Sequence, residues 1–358
     1  MRRRGRACRR RVWRRGRERE HGGLPVDPTL RRHGCWGPTE ARGQKRAQGR
    51  VWRGLPPHGP WQRHEREHAD EQRWLHRRRW QHGERRRGHR GRRLNRGVLL
   101  TVAYDGSLFS GFARQANART IAGELQGAIR ELDPRASVIK GASRTDKGVH
   151  ARAQKVSFAS ALDISPRGWA LGLRPHLPRE IAIVSAARVD ASFDPRRHAR
   201  HKRYRYVLLR SLVPDPFWER RAWRIPWRLE ETLMHREAAA LVGKHDFAAF
   251  RAAADERAET VRTLTALRLS RLSDDARCIA IDVAGDHFLY NMVRIIVGSL
   301  VDVARGKLEQ GACARALVGG SRGDLGMTAP AAGLCLEEVT LDDEGEDVWP
   351  SADALATL

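Results

Sequence analysis

The chain has 358 residues and carries 68 Lys and Arg against 42 Asp and Glu, a formal net charge of +26. That length allows one large domain or two medium ones with a sizeable core, and no stretch approaches the eighteen consecutive apolar residues of a membrane-spanning helix. Five widely spaced cysteines without a CxxC pair (Cys8, Cys35, Cys278, Cys313, Cys335) argue against a disulfide framework or a zinc site, as do histidines without HExxH spacing, so no metal is expected.

The charge is unevenly spread. Residues 1–97 hold 31 Lys and Arg against 9 Asp and Glu, whereas 98–358 hold 37 against 33. The first 97 residues also contain no Ile, Phe or Tyr. Low hydrophobicity with high net charge cannot offset chain entropy, so a disordered basic tail is predicted over 1–97. Its runs, such as Arg2-Arg3-Arg4 and Arg85-Arg86-Arg87, suit any polyanion, and tryptophans such as Trp13, Trp52 and Trp80 could stack on bases. The alternative is an incidental extension. After Met1 the next methionine is Met234, so a natural start near Val98 through a non-ATG codon is the expectation. The tail lacks the apolar stretch of a signal peptide, and its glutamates and missing serines speak against a transit peptide, while the odd, widely spaced cysteines fit reduced cytosolic thiols, so a cytoplasmic protein is expected.

Ordered structure is predicted to begin at VLLTVAYDGS, a strand stopped by Asp105-Gly106. A helix follows at TIAGELQGAIREL. Thr120 is its N-cap, Ile121, Leu125, Ile129 and Leu132 share its apolar face, and Pro134 blocks continuation. Then come strands at SVIKGAS and AQKVSFA, a helix over Pro166 to Leu173, and a strand at EIAIVSAARV. In KRYRYVLL, alternation puts Tyr204, Tyr206 and Leu208 on one strand face and Arg203, Arg205 and Val207 on the other. A helix over Leu229 to Val242 precedes strands at TVRTLTALRLSRL and CIAIDVAG. HFLYNMVRIIVGSLVDVARG reads as a strongly apolar helix ended by Gly306. A short helix near Gln310–Val318 and a strand at GLCLEEVTL close the domain, and the acidic residues 342–358 are expected to fray. Strands and helices mix without a regular βαβ rhythm, which predicts an α+β fold with mainly antiparallel sheet. Two mixed subdomains, 98–195 and 196–341, are expected around a central cleft.

Three stretches carry candidate chemistry. In GASRTDKGVHARAQ, Asp146 stands between Arg144 and Lys147, and Gly148 follows. A nearby guanidinium lowers a carboxylate's pKa and readies it for nucleophilic or electrostatic work, although a solvated turn has the same composition. Arg294 lies within a helix otherwise too apolar for the surface, and it needs a carboxylate partner or must snorkel. KRYRY sets aromatic faces beside cations, suiting a stacked base and its phosphates, while GKHDFAAFR supplies core anchors in Phe247 and Phe250 and a phosphate contact in Arg251.

GASRTDKGVHARAQKVSF resembles the central GRTDxGVHA motif of the TruA-type tRNA pseudouridine synthases. YDGSLFSGFARQ, TIAGELQGAI, KRYRYVL, GKHDFAAFR, TVRTL, FLYNMVRIIVGSLVDVARGK and TAPAAGLCLEEV resemble further motifs of that family, in the family's order, over about 98 to 340. The resemblance implies that Asp146 is the catalytic residue and that Arg294 pairs with it. It implies that Tyr204 packs on the target base and is the candidate proton acceptor, and that Arg144 helps flip the nucleotide out of its stack. Lys147, His150, Arg205 and Arg251 are the further candidate substrate contacts. The implied substrate is the tRNA anticodon stem-loop at positions 38, 39 and 40, bound by a homodimer without metal or cofactor. Ser143 stands where the family usually has glycine, Lys147 where alanine is common, Phe112-Ala113 for Trp-Gln and Gly123 for glutamine. A non-enzymatic basic RNA-binding protein and an enzyme acting on another RNA are the alternative readings.

Overall fold

The computed structural model describes residues 96–350. The expected disordered tail lies outside them except for its last two residues, as do residues 351–358. In chain order the strands are β1 (Arg96–Tyr104), β2 (Lys140–Gly141), β3 (His150–Ser160), β4 (Ile181–Val189), β5 (Ala199–Arg210), β6 (Trp223–Ile225), β7 (Gly243–Asp246), β8 (Val261–Arg271), β9 (Cys278–Gly285), β10 (Leu334–Leu341) and β11 (Glu346–Trp349). The helices are α1 (Ile121–Leu132), α2 (Pro166–Leu173), α3 (Pro195–His198), α4 (Glu231–Ala240), α5 (Met292–Ala304) and α6 (Ala312–Leu317).

All eleven strands form one sheet, in the order β11-β4-β1-β3-β10-β5-β9-β8-β7, with β2 added on β3 and β6 on β5. Neighbours are antiparallel except β3–β10 and β5–β6. The fold is therefore α+β with a mostly antiparallel sheet, as its lack of βαβ rhythm predicts. The expected division near 195 falls just before β5, yet the sheet runs unbroken across it. β10, from near the end of the chain, is the strand that joins the two halves. Leu336 stands in register with Ala151 of β3 on one side and with Tyr204 of β5 on the other.

Local chemistry explains the elements. The Thr120 hydroxyl accepts from the Gly123 N–H and caps α1, whose Ile121, Leu125 and Ile129 are buried. In β5 burial alternates as the pattern predicts, with Tyr204, Tyr206 and Leu208 inside. α5 is enclosed almost all round, and of its thirteen residues only Arg294 is not buried. It is shorter than the apolar run suggests. Asn291 adopts a left-handed φ of 60°, so 287–290 form a turn leading into the helix. The acidic end also departs from expectation. Residues 346–349 do not fray but pair with β4 at the sheet edge, with Glu346 opposite Arg188.

The segment after α6 crosses α5 at very close range. A Cβ on Gly298 would lie 1.7 Å from the Met327 carbonyl oxygen, so only glycine admits that crossing. The same segment reaches Ala329, whose N–H donates to the Arg294 carbonyl at 3.0 Å. Gly298→Ala is expected to destabilise the protein by about 1–3 kcal/mol through overpacking. Urea or thermal unfolding measures this, and an unchanged midpoint would count against so tight a crossing.

Candidate active site

The loop between β2 and β3 is pinned at almost every residue. The Ala142 N–H donates to the Lys155 carbonyl at 2.9 Å. Buried Gln154 brackets Ser143, accepting from its N–H at 3.1 Å and donating to its carbonyl at 2.7 Å. The Thr145 hydroxyl meets the Tyr104 hydroxyl at 2.8 Å, and its carbonyl accepts from Phe112 N–H at 3.0 Å. The Asp146 carbonyl accepts from Val149 N–H at 3.1 Å, with Gly148 at a φ of 82° making the turn between them. A solvated turn would show few of these bonds.

This rigid loop presents Asp146 to Arg294. Nη1 of Arg294 donates to Oδ2 of Asp146 at 3.3 Å, with both side chains about four-fifths buried. The guanidinium is fixed by two further bonds, from Nε to the Ala329 carbonyl at 2.7 Å and from Nη1 to Asn291 Oδ1 at 2.8 Å. A cation in the first turn of a helix opposes the macrodipole, so these acceptors offset an unfavourable position. The arginine that the apolar helix left without a partner thus pairs with the carboxylate that the loop presents.

Their balance differs from the sequence expectation. Burial raises the Asp146 pKa above the usual carboxylate value, and the charge and hydrogen bond of Arg294 only partly oppose it. A single 3.3 Å contact does not outweigh desolvation.

Tyr204 completes the group. Its ring lies edge-on to Phe288 at 5.1 Å, and its hydroxyl meets the Ser143 hydroxyl at 2.9 Å. Burial pushes its pKa up to about 12, against the lowering effect of the Ser143 bond, and the Asp146 charge adds to the rise. A phenol held in its protonated form suits packing and hydrogen bonding better than proton abstraction.

The remaining sequence candidates divide. Arg144 and Lys147 flank Asp146 and are exposed, making no ion pair among the described residues. His150 is turned inward instead. Its Nδ1 accepts from Gly106 N–H at 3.1 Å and its Nε2 faces the Ala332 carbonyl at 3.2 Å, which leaves no ring nitrogen for substrate. Arg205 sits on the opposite strand face from Tyr204, in a two-point pair with Asp282 at 2.9 Å for each bond. Arg251 donates to the Arg257 carbonyl at 2.7 Å. Gln154, Asn291 and Ala329, which hold the site, carry no signal in the local sequence pattern, whereas Ser143 shows itself by standing where the family usually has glycine. Among the described residues no three metal-ligating side chains come together, and no helix is long and apolar enough to cross a membrane.

A carboxylate and an arginine thus pair beside a tyrosine on a mostly antiparallel α+β sheet. The family model described as tRNA pseudouridine synthase matches residues 100–196 and 238–342. A tRNA pseudouridine synthase A of Halalkalibacterium halodurans is 39% identical over 236 residues, which are 66% of this chain and 89% of that protein. One of Moorella thermoacetica is 40% identical over 67% of this chain and 97% of that protein. One of Acetivibrio thermocellus is 37% identical over 68% and 99%. The chain belongs to the tRNA pseudouridine synthase family.

Because the folded state raises the Asp146 pKa, this group stabilises the fold fully below the ordinary carboxylate value and loses that contribution as pH rises through the raised one. Asp146→Asn keeps an acceptor for Arg294 and has no such loss. Its melting temperature relative to the parent is therefore expected to be higher at pH 8 than at pH 4. Thermal unfolding at the two values checks this, and the opposite trend would contradict it.

Proposed function

We propose that this chain isomerises uridine to pseudouridine in tRNA, with Asp146 as the reacting carboxylate, at positions 38, 39 and 40 of the anticodon stem-loop. The observation that carries the reading is the pairing of Asp146 with Arg294 on a loop held rigid beside Tyr204. Membership of the family supports the reaction type. The reaction breaks the N1–C1′ bond, turns the uracil and joins C5 to C1′. It moves a proton from C5 to N1 with no redox change.

The residues divide that work by position. Asp146 attacks C1′ or stabilises positive charge there, and Arg294 favours its ionised form against burial. Tyr204 offers a ring for the flipped base, and Ser143 fixes its hydroxyl. Arg144 and Lys147 are exposed on either side of Asp146, and in this reading they contact the strand from which the base has left. The enzyme acts as a homodimer in the cytoplasm under this reading.

Asp146→Ala is expected to abolish pseudouridine formation while tRNA binding stays within about twofold, since one carboxylate facing a polyanion adds little to affinity. Pseudouridine mapping and a binding assay on the same preparation decide it. Modification that persists in the variant would point to a non-enzymatic RNA-binding protein or to a different nucleophile. Pseudouridines at 38–40 that survive gene deletion would exclude those positions as the target. Ser143→Gly removes the hydrogen bond on Tyr204, worth about 1 kcal/mol, and should lower kcat roughly fivefold with KM unchanged. Single-turnover kinetics measure that split.

A further inference from the structure

Among the described residues, the buried acidic groups and His150 are paired. Asp302 meets Arg305 at 2.7 Å and Lys307 at 3.5 Å. Glu237 accepts from Cys313 N–H at 3.0 Å, and Asp133 from the Ser160 hydroxyl at 2.6 Å. Asp255 is held by Arg257, and His150 by the backbone groups already described. Lys202 is the exception. It is only 6% exposed, yet it makes no side-chain hydrogen bond or ion pair among those residues.

Its position is informative. Lys202 precedes Tyr204 by two residues on β5, so both side chains stand on the same sheet face, about 7 Å apart along the strand. β5 lies between β9 and β10, where Gly285 and Val339 stand in register with Lys202. The charges that bear on it are mostly positive. Arg196 of α3 and Arg257 of the β7–β8 connection oppose its protonated form, and Asp286 favours it. That carboxylate is already engaged, accepting from the Thr263 N–H at 3.2 Å, and Arg257 also donates to the Phe288 carbonyl at 3.2 Å. Phe288 is the ring that packs on Tyr204. The cationic group therefore adjoins the site through Phe288 and along the strand.

A lysine side chain this deeply buried near other cations is disfavoured in its charged form in the free protein. Burial, aided by Arg196 and Arg257, pulls the Lys202 pKa down to about 8. An arriving anion would remove that penalty, and the proposed substrate carries one on every nucleotide. We propose that Lys202, together with Arg196, binds a backbone phosphate of the RNA strand adjoining the reacting uridine. The inference rests on the reading of the chain as a tRNA-modifying enzyme. It adds a site that holds the strand one step from the place where Tyr204 packs on the base.

The test is binding of a labelled tRNA transcript over a series of salt concentrations. Lys202→Met keeps the apolar stem and removes an unpaired charge, so its melting temperature should be no lower than the parent's. Binding at low salt should weaken about five- to tenfold, and the slope of log K against log salt should shrink by about one. Arg203→Gln, on the opposite strand face, should leave the slope unchanged. Arg196→Gln, an exposed substitution, should also reduce it and decides the matter if Lys202→Met does not fold. An unchanged slope in the folded Lys202 variant, or in Arg196→Gln alone where the former fails to fold, overturns the site. A parent protein that binds tRNA but forms no pseudouridine would instead refute the functional reading.

Discussion

Leu336 stands in register between Ala151 and Tyr204, and that placement sets the geometry of everything near it. The parallel contact between β3 and β10 is only two residue pairs long, at the point where the loop carrying Asp146 enters β3. β10 then runs antiparallel to β5 and holds Tyr204 two strands away from the loop. Without β10 inserted there, β3 and β5 would belong to separate sheets, and the Ser143 and Tyr204 hydroxyls would have no fixed separation. Sheet hydrogen bonding, rather than the site's own contacts, therefore fixes the distance between loop and tyrosine.

On that frame the site is held by backbone and neutral groups, and its charges are left in tension. Asp146 is buried enough that Arg294 does not restore an ordinary pKa. Arg294 is the one opening in an otherwise enclosed helix and sits at the helix end least suited to a cation. Lys202 is buried on the same face and makes no side-chain hydrogen bond or ion pair among the described residues. Each is unfavourable in the free fold and favourable toward a ligand that brings negative charge or a charged transition state. The stability for this comes from elsewhere, from the core of α5 and from the neighbouring apolar strands β1 and β9.

Much of this was legible in the residues. Thr120 with its spaced apolar partners foretold α1, and alternation in KRYRYVLL foretold the buried face of β5, because local period and capping write those elements. Arg294 announced its need of a partner by standing in an apolar helix. What local pattern does not encode is which strands become neighbours. The insertion of β10 was therefore invisible, as were the four-residue strands β7 and β11, too short for a period to show. Adjacency in a motif misled twice. His150 follows the loop yet turns inward to backbone groups, and Arg205 adjoins Tyr204 yet lies on the other face, which the strand period itself foretells. The rise of the Asp146 pKa depends on burial from several directions, and no neighbouring residue in the chain reports that.

The Ala329 carbonyl that receives Arg294 Nε belongs to the same residue whose N–H binds the Arg294 carbonyl. Two bonds between the same pair of residues lock the aim of a side chain to the course of a distant main chain. Ala329 is synthesised some 180 residues after Asp146. During translation the carboxylate thus waits for some 180 further residues to emerge before a correctly aimed guanidinium can meet it. A nascent chain that has reached only β3 carries the loop but not the assembled pair, which closes once the chain as far as Ala329 has folded.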